Sequence, residues 1–189
     1  MNAVALLRNR MGAVNAALHD LVGEVEGVGL AEPVVAGTSP LGLTLWHIPR
    51  TQDWLVHTTI RAVPEVVDDF PRAGLPDPDE YGFGTGLTPE RARAAAADVR
   101  PDALVAYADA VTGAIDGWIA TLDDADLDDV PDLIGRQSRR PAYETPEALP
   151  DVAHLAGLPA GVLLLRPAIS HVFMHAGEVE ALTHTAKSG

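Results

Sequence analysis

Four stretches of this chain repeat apolar residues at intervals of three and four, and none alternates apolar with polar over a convincing length. That periodicity confines the chain to helices packed on helices. The first stretch runs from about Ala3 to Gly23, with Val4, Leu7, Met11, Val14, Leu18 and Leu21 on one face. The second begins after "TSP", where Thr38 or Ser39 can cap and Pro40 suits the first turn, and continues to Val63. The third follows Arg100-Pro101 and carries Leu104, Tyr107, Val111, Ile115, Trp118 and Leu122. The last starts near Gly161 or Arg166. At 189 residues the chain is long enough to bury a core without disulfides, so a single all-α domain over residues 1–189 is expected, with antiparallel neighbours.

The connections are long. Residues 64–87, "PEVVDDFPRAGLPDPDEYGFGTGL", are rich in proline and glycine without an apolar period and read as an ordered loop. "TPERARAAAADV" offers a Thr88 cap, Pro89 at the first position and a short helix. Five prolines, from Pro131 to Pro159, keep the stretch before Ala160 irregular. Pro49 falls inside the second helix, where it removes the usual partner of the Leu45 carbonyl and should bend the helix one turn after His47. "GFGTG" lacks both a preceding strand and a following Gly-Lys-Ser or Gly-Lys-Thr, so it reads as a lid or a turn rather than a phosphate cradle. The acidic run 123–129 lacks the ligand spacing and central glycine of a calcium loop and reads as a solvated turn.

Composition removes whole classes of function. With no cysteine there is no disulfide, thiolate metal site, iron–sulfur cluster or cysteine nucleophile, and any thiol chemistry must use an external thiol. A net charge of −14 repels a phosphate backbone, and the arginines form no basic stripe. No apolar run approaches a membrane span, and Arg8, Asn9, Arg10 and Asn15 interrupt the N-terminus in a way unlike a secretory signal, so a soluble cytoplasmic protein is expected.

The histidines carry the chemistry. His171 and His175 lie one helical turn apart on one flank, about 40° from each other and bordering the buried stripe of the last helix. On the second helix Leu43, Thr51, Trp54 and Thr58 fall within about 40° of His47, which turns that imidazole inward. A lone histidine is more often a hydrogen-bonded core residue, but an inward histidine beside an i, i+4 pair favours a metal site. Glu178, one turn beyond His175, could be a fourth ligand, an acceptor behind a ligand or a solvent-facing residue; the acceptor role is the first choice. His19, His57, His154 and His184 read as surface residues or as supports behind the ligands, and Trp46, Trp54 and Tyr81 as candidate walls of a pocket.

An inward histidine on helix two ("LTLWHIPRTQDWLV"), a long crossing, and HxxxH followed by Ala-Gly-Glu on the last helix ("SHVFMHAGEVEAL") resemble the DinB-like superfamily of metalloenzymes. "GFGTGLTPE" and the third-helix segment are similar to the branch related to mycothiol-dependent maleylpyruvate isomerase and bacillithiol transferases. The resemblance implies a four-helix bundle of up-up-down-down-type connectivity with long crossover loops, a homodimer, and a divalent metal on His47, His171 and His175. Pro49 and Pro167 beside the ligands, and Glu178 where many relatives carry histidine or glutamine, are departures from the pattern.

Three neutral imidazoles leave a zinc, nickel or iron(II) ion with open positions, and a coordinated water or thiol then reaches a pKa near ~7. The expected activity is thus a thiol-dependent transferase or isomerase, joining a mycothiol-type co-substrate to an electrophile near Trp54 and Tyr81. A metal-dependent hydrolase and a non-catalytic metal- or ligand-binding bundle are the alternatives.

Overall fold

The computed structural model describes residues 2–188; Met1 and Gly189, the ends of the expected domain, lie outside it. Among the described residues there is no strand, and the elements are helical throughout. Helix α1 spans Ala3–Glu24, and Asn2 caps it by accepting from the Ala5 amide at 2.9 Å. Helix α2 spans Leu41–Asp53 and widens without interruption into a π-helix over Trp54–Arg61. Two short helices, α3 (Val66–Asp69) and α4 (Pro78–Tyr81), lie within the segment expected to be a loop. Helix α5 (Pro89–Ala97) starts with Thr88 as cap and Pro89 in first position, as its sequence indicates. Helix α6 is Pro101–Ile119. Short 3₁₀ turns and α7 (Ala148–Ala153) then lead to α8 (Ala160–Leu165), a π-helical turn at Arg166–Ser170, and α9 (His171–Ser188).

Helix α1 packs on α6 and α9, and α2 packs on α5, α6 and α9. The expected cap of α2 is different in the structure. Pro40 stands at the N-cap with no side-chain cap bond, while the Thr38 hydroxyl turns back to the Val35 carbonyl at 2.8 Å. Helix α2 stays α-helical through Pro49, and its regularity changes only at Trp54, later than the expected bend. The second π turn contains Pro167, whose missing N–H is accommodated by the wider helical turn; the Gln52 amide donates to the Ala168 carbonyl there at 2.8 Å.

Burial along α2 locates the site. Every residue from Pro40 to Thr59 is buried except His47, which is half-buried. A helix enclosed on all sides must satisfy its polar side chains internally. Arg50 does so through Glu65 (2.6 Å) and Tyr143, and Asp53 accepts from Tyr107 (2.6 Å), from the Val66 and Val67 amides (2.9 and 3.0 Å) and pairs with His57 at 2.7 Å. These bonds fasten the start of the 64–87 segment to α2. No helix among the described residues is long and apolar enough to cross a membrane.

Candidate metal centre

Helix α2 delivers His47, and the first two turns of α9 deliver His171 and His175. Because α9 is regular from His171 onward, the i, i+4 spacing brings their rings together, with centroids 4.4 Å apart. The His47 ring meets them edge-on at 5.1 and 5.0 Å. One nitrogen from each ring can be chosen so that all three lie within 4.8 Å of one another, so the group could hold a metal ion.

The surroundings fix how two of the rings are presented. His47 Nδ1 donates to the Phe83 carbonyl at 2.5 Å, which leaves Nε2 of the neutral ring as the lone-pair nitrogen, with only the Thr51 hydroxyl near it at 3.3 Å. His175 Nδ1 donates to Glu178 Oε2 at 2.9 Å, leaving its Nε2 free in the same way. Glu178 therefore stands behind a candidate ligand as its hydrogen-bond acceptor. The Nε2 atoms of His171 and His175 face each other at 3.0 Å. Imidazoles bound at about 2.0–2.1 Å in a tetrahedral array would place their nitrogens about 3.3 Å apart, so this pair needs little adjustment to share a cation. His171 Nδ1 is buried without a partner, so this ring alone has no acceptor to fix its tautomer.

Electrostatics favour neutral rings at His47 and His171. Burial, reinforced by His171 and His175, pulls His47 down to about 3. Burial, with His175 adding to it, pulls His171 down to about 4. Both rings keep unprotonated nitrogen available near neutral pH, the form that binds metal.

The "GFGTG" segment forms a fixed bracket over His47. Gly82 (φ 62), Gly84 (φ 89) and Gly86 (φ 71) hold positive φ, and the chain between them turns the Phe83 carbonyl onto the imidazole. A Cβ on Gly84 would sit 3.3 Å from the Trp46 ring and 3.4 Å from His47 Nδ1, so the backbone approaches as closely as glycine allows. Phe83 also stacks on Trp54, centroids 4.5 Å apart and 28° from parallel, worth about 0.5–1.5 kcal/mol beyond burial.

A cavity of about 400 Å³ opens beside the cluster, with His47, His171, Thr51, Trp54 and Phe83 in its wall. Tyr81 lies outside this wall: it is buried on α4 under the Arg91 guanidinium, 5.6 Å from its ring centre, and Trp46 is fully buried in the core. Core packing explains the position of Trp46, the alternative its sequence left open, and Tyr81 packs on α4 away from this cavity. His154, read as a surface residue, is exposed yet borders the cavity. His57 is buried against Asp53, His19 pairs with Asp109 on the surface at 2.8 Å, and His184 is exposed. The Phe83 carbonyl was missed because a backbone acceptor has no residue-type signature; the alternating glycines were its only trace.

No family model matches the chain, and no curated protein matches it in sequence.

Proposed function

We propose that the chain is a metal-dependent transferase or isomerase that uses a low-molecular-weight thiol, built as the DinB-like four-helix bundle whose motifs its sequence resembles. The observation that supports this best is the convergence of His47, His171 and His175 beside a cavity, with Nε2 of His47 and His175 turned free by the Phe83 carbonyl and Glu178. A divalent ion on three neutral imidazoles retains its charge and open positions, which lowers the pKa of a coordinated thiol or water towards about 7. Zinc, nickel and iron(II) all suit imidazole ligands.

The chain's own residues prepare the rest. Glu178 and Phe83 orient two ligands, and the Trp54–Phe83 stack gives a flat wall against which an electrophile can lie. Since the chain has no cysteine, the thiol is a co-substrate, of mycothiol type by the resemblance. Val162, Leu165 and Phe173, between 40% and 52% exposed around α8 and α9, offer apolar surface for the homodimer that the resemblance implies. Sedimentation across the micromolar range should show the dimer, and a strict monomer would remove it.

The functional test is turnover. Mycothiol with metal-loaded protein should accelerate conjugation or isomerisation of an electrophile, and omission of either metal or thiol should abolish the effect. Ester or amide hydrolysis that proceeds without thiol would replace this reading with a hydrolase. Tight metal binding with neither thiol binding nor turnover would replace it with a sensor or structural bundle.

A further inference from the structure

Two cavities, rather than one, open onto the histidine cluster. The smaller, about 300 Å³, shares His47, His171, Thr85, Asp151 and Met174 with the larger, about 400 Å³. Thr85 lies in the glycine bracket, Asp151 on α7 and Met174 on α9, so these three form the edge between the two spaces on either side of His47 and His171.

Their linings differ in chemistry. Trp54, Phe83, Leu155 and Pro167 make the larger cavity broad and apolar. Arg166 supplies its one permanent positive charge, exposed and engaged in no ion pair among the described residues, and Asp151 on the shared edge supplies its one carboxylate. Beyond the shared edge, the smaller cavity presents the hydroxyls of Ser39 and Thr44 and the carboxylate of Glu178, with no arginine or lysine. A guanidinium beside an apolar wall recognises a carboxylate attached to an apolar body. Asp151 is common to both spaces, but only the smaller one adds a second carboxylate, Glu178, with no cation to offset it, so this space repels an anion and its hydroxyls suit a partner that can hydrogen-bond without negative charge.

We propose that the site holds two different molecules at once and sorts them by charge. An organic carboxylate with an apolar or aromatic body occupies the larger cavity beside Arg166; a hydroxyl-bearing, neutral or cationic molecule occupies the smaller one against Glu178. The assignment rests on the cluster being a reaction centre, reached from both sides, and it gives each reactant its own approach.

The first half is tested on metal-free protein by calorimetric titration with 3-phenylpropionate and its neutral analogue 3-phenylpropan-1-ol. The carboxylate should bind at least fivefold more tightly, and Arg166→Gln should erase that preference. Equal binding of the two probes, or a preference unchanged by the substitution, overturns the carboxylate assignment. The second half uses cobalt-loaded protein and the sulfur-to-metal absorption band, read with thioglycerol, thiocholine and 2-mercaptoethanesulfonate at equal thiolate concentration. The anionic sulfonate should bind at least fivefold more weakly than either of the others, and saturating 3-phenylpropionate should leave the Kd of thioglycerol within twofold. Tightest binding by the sulfonate overturns the charge sorting, and competition between probe and thiol overturns simultaneous occupancy. No band with any thiol overturns the two-molecule site together with the thiol reading on which it rests, whereas a carboxylate preference in the metal-free protein would still uphold the larger cavity's assignment.

Discussion

His47 and Arg50 are one turn apart on the same helix, yet their surroundings are opposite. Arg50 is fully buried and held by Glu65, Asp53, Tyr107 and Tyr143. Glu65 in turn accepts from Thr58 at 2.5 Å and from Tyr143 at 2.7 Å, and pairs with Arg140 at 3.3 Å. Apart from the Nε atoms of the two arginines, this network is satisfied and closed. The histidine cluster is the reverse: ring nitrogens face one another beside a cavity with no counter-charge between them, and His171 Nδ1 is buried without a partner. Closed charge pairs on an enclosed helix belong to structure, whereas basic nitrogens gathered beside open space are candidates for a functional site.

The largest expected effect breaks the closed side. Glu65→Ala leaves Arg50 buried without its strongest counter-charge and should cost about 3–5 kcal/mol, a large part of a domain's stability. Urea denaturation of the metal-free proteins would measure it. His47→Ala should cost less than about 2 kcal/mol in the same assay while abolishing high-affinity metal binding. If His47→Ala proves the more destabilising of the two, the division between structural and functional polar groups fails.

Glu178→Ala sharpens the comparison from the open side. Removing the acceptor behind His175 frees that ring to rotate, and metal affinity should fall about 10–100-fold without loss of the fold. Competition with a chelator of known affinity would read this directly. Unchanged affinity would show that Glu178 does not orient the ligand.

The two regions should also respond to acid in different ranges. His47 and His171 have folded-state pKa values of about 3 and about 4, below the ordinary 6.5. Between those values and 6.5 the unfolded chain binds protons that the folded chain refuses, so metal-free stability should decline as pH falls below about 6.5. Asp53 acts lower. Burial raises its pKa, but His57, Arg50 and Tyr107 more than reverse this and hold it below the usual carboxylate range. Its contribution is present above the unfolded value of 3.8 and is lost as pH falls through the folded one. Chemical denaturation at a series of pH values should therefore show two declines, the upper one absent from the His47→Ala, His171→Ala double variant. A single decline confined to the carboxylate range would contradict the neutral-imidazole account.

Local pattern made part of this legible before the structure. The i, i+4 spacing put His171 and His175 on one flank, and helical phase turned His47 inward. The limits were long-range pairings: Arg50 meets Tyr143 across 93 residues, and Gln52 meets Ala168 across 116. Apolar periodicity says nothing about such partners. A clue lay in "RTQD", a polar run between the apolar stretches "LGLTLW" and "WLV", which needed internal partners wherever the chain supplied them. The short helices within 64–87 were hidden because Asp53 and the Glu65–Asp68 capping box stabilise α3, while four-residue elements have no measurable apolar period.

The smallest effect is expected at His184, which is exposed on the last turns of α9. His184→Ala should leave metal affinity and unfolding midpoint unchanged. A drop in metal content there would mean that the cluster has been assigned to the wrong histidines.

Elemental analysis of protein purified without an affinity tag tests the central claim most directly, with His171→Ala prepared alongside. The account predicts a first-row divalent metal in the unaltered protein at close to one ion per chain, and none retained by the variant at equal protein concentration. Equal metal in both proteins, or none in either after reconstitution with zinc, nickel and iron(II), would contradict a metal centre at His47, His171 and His175.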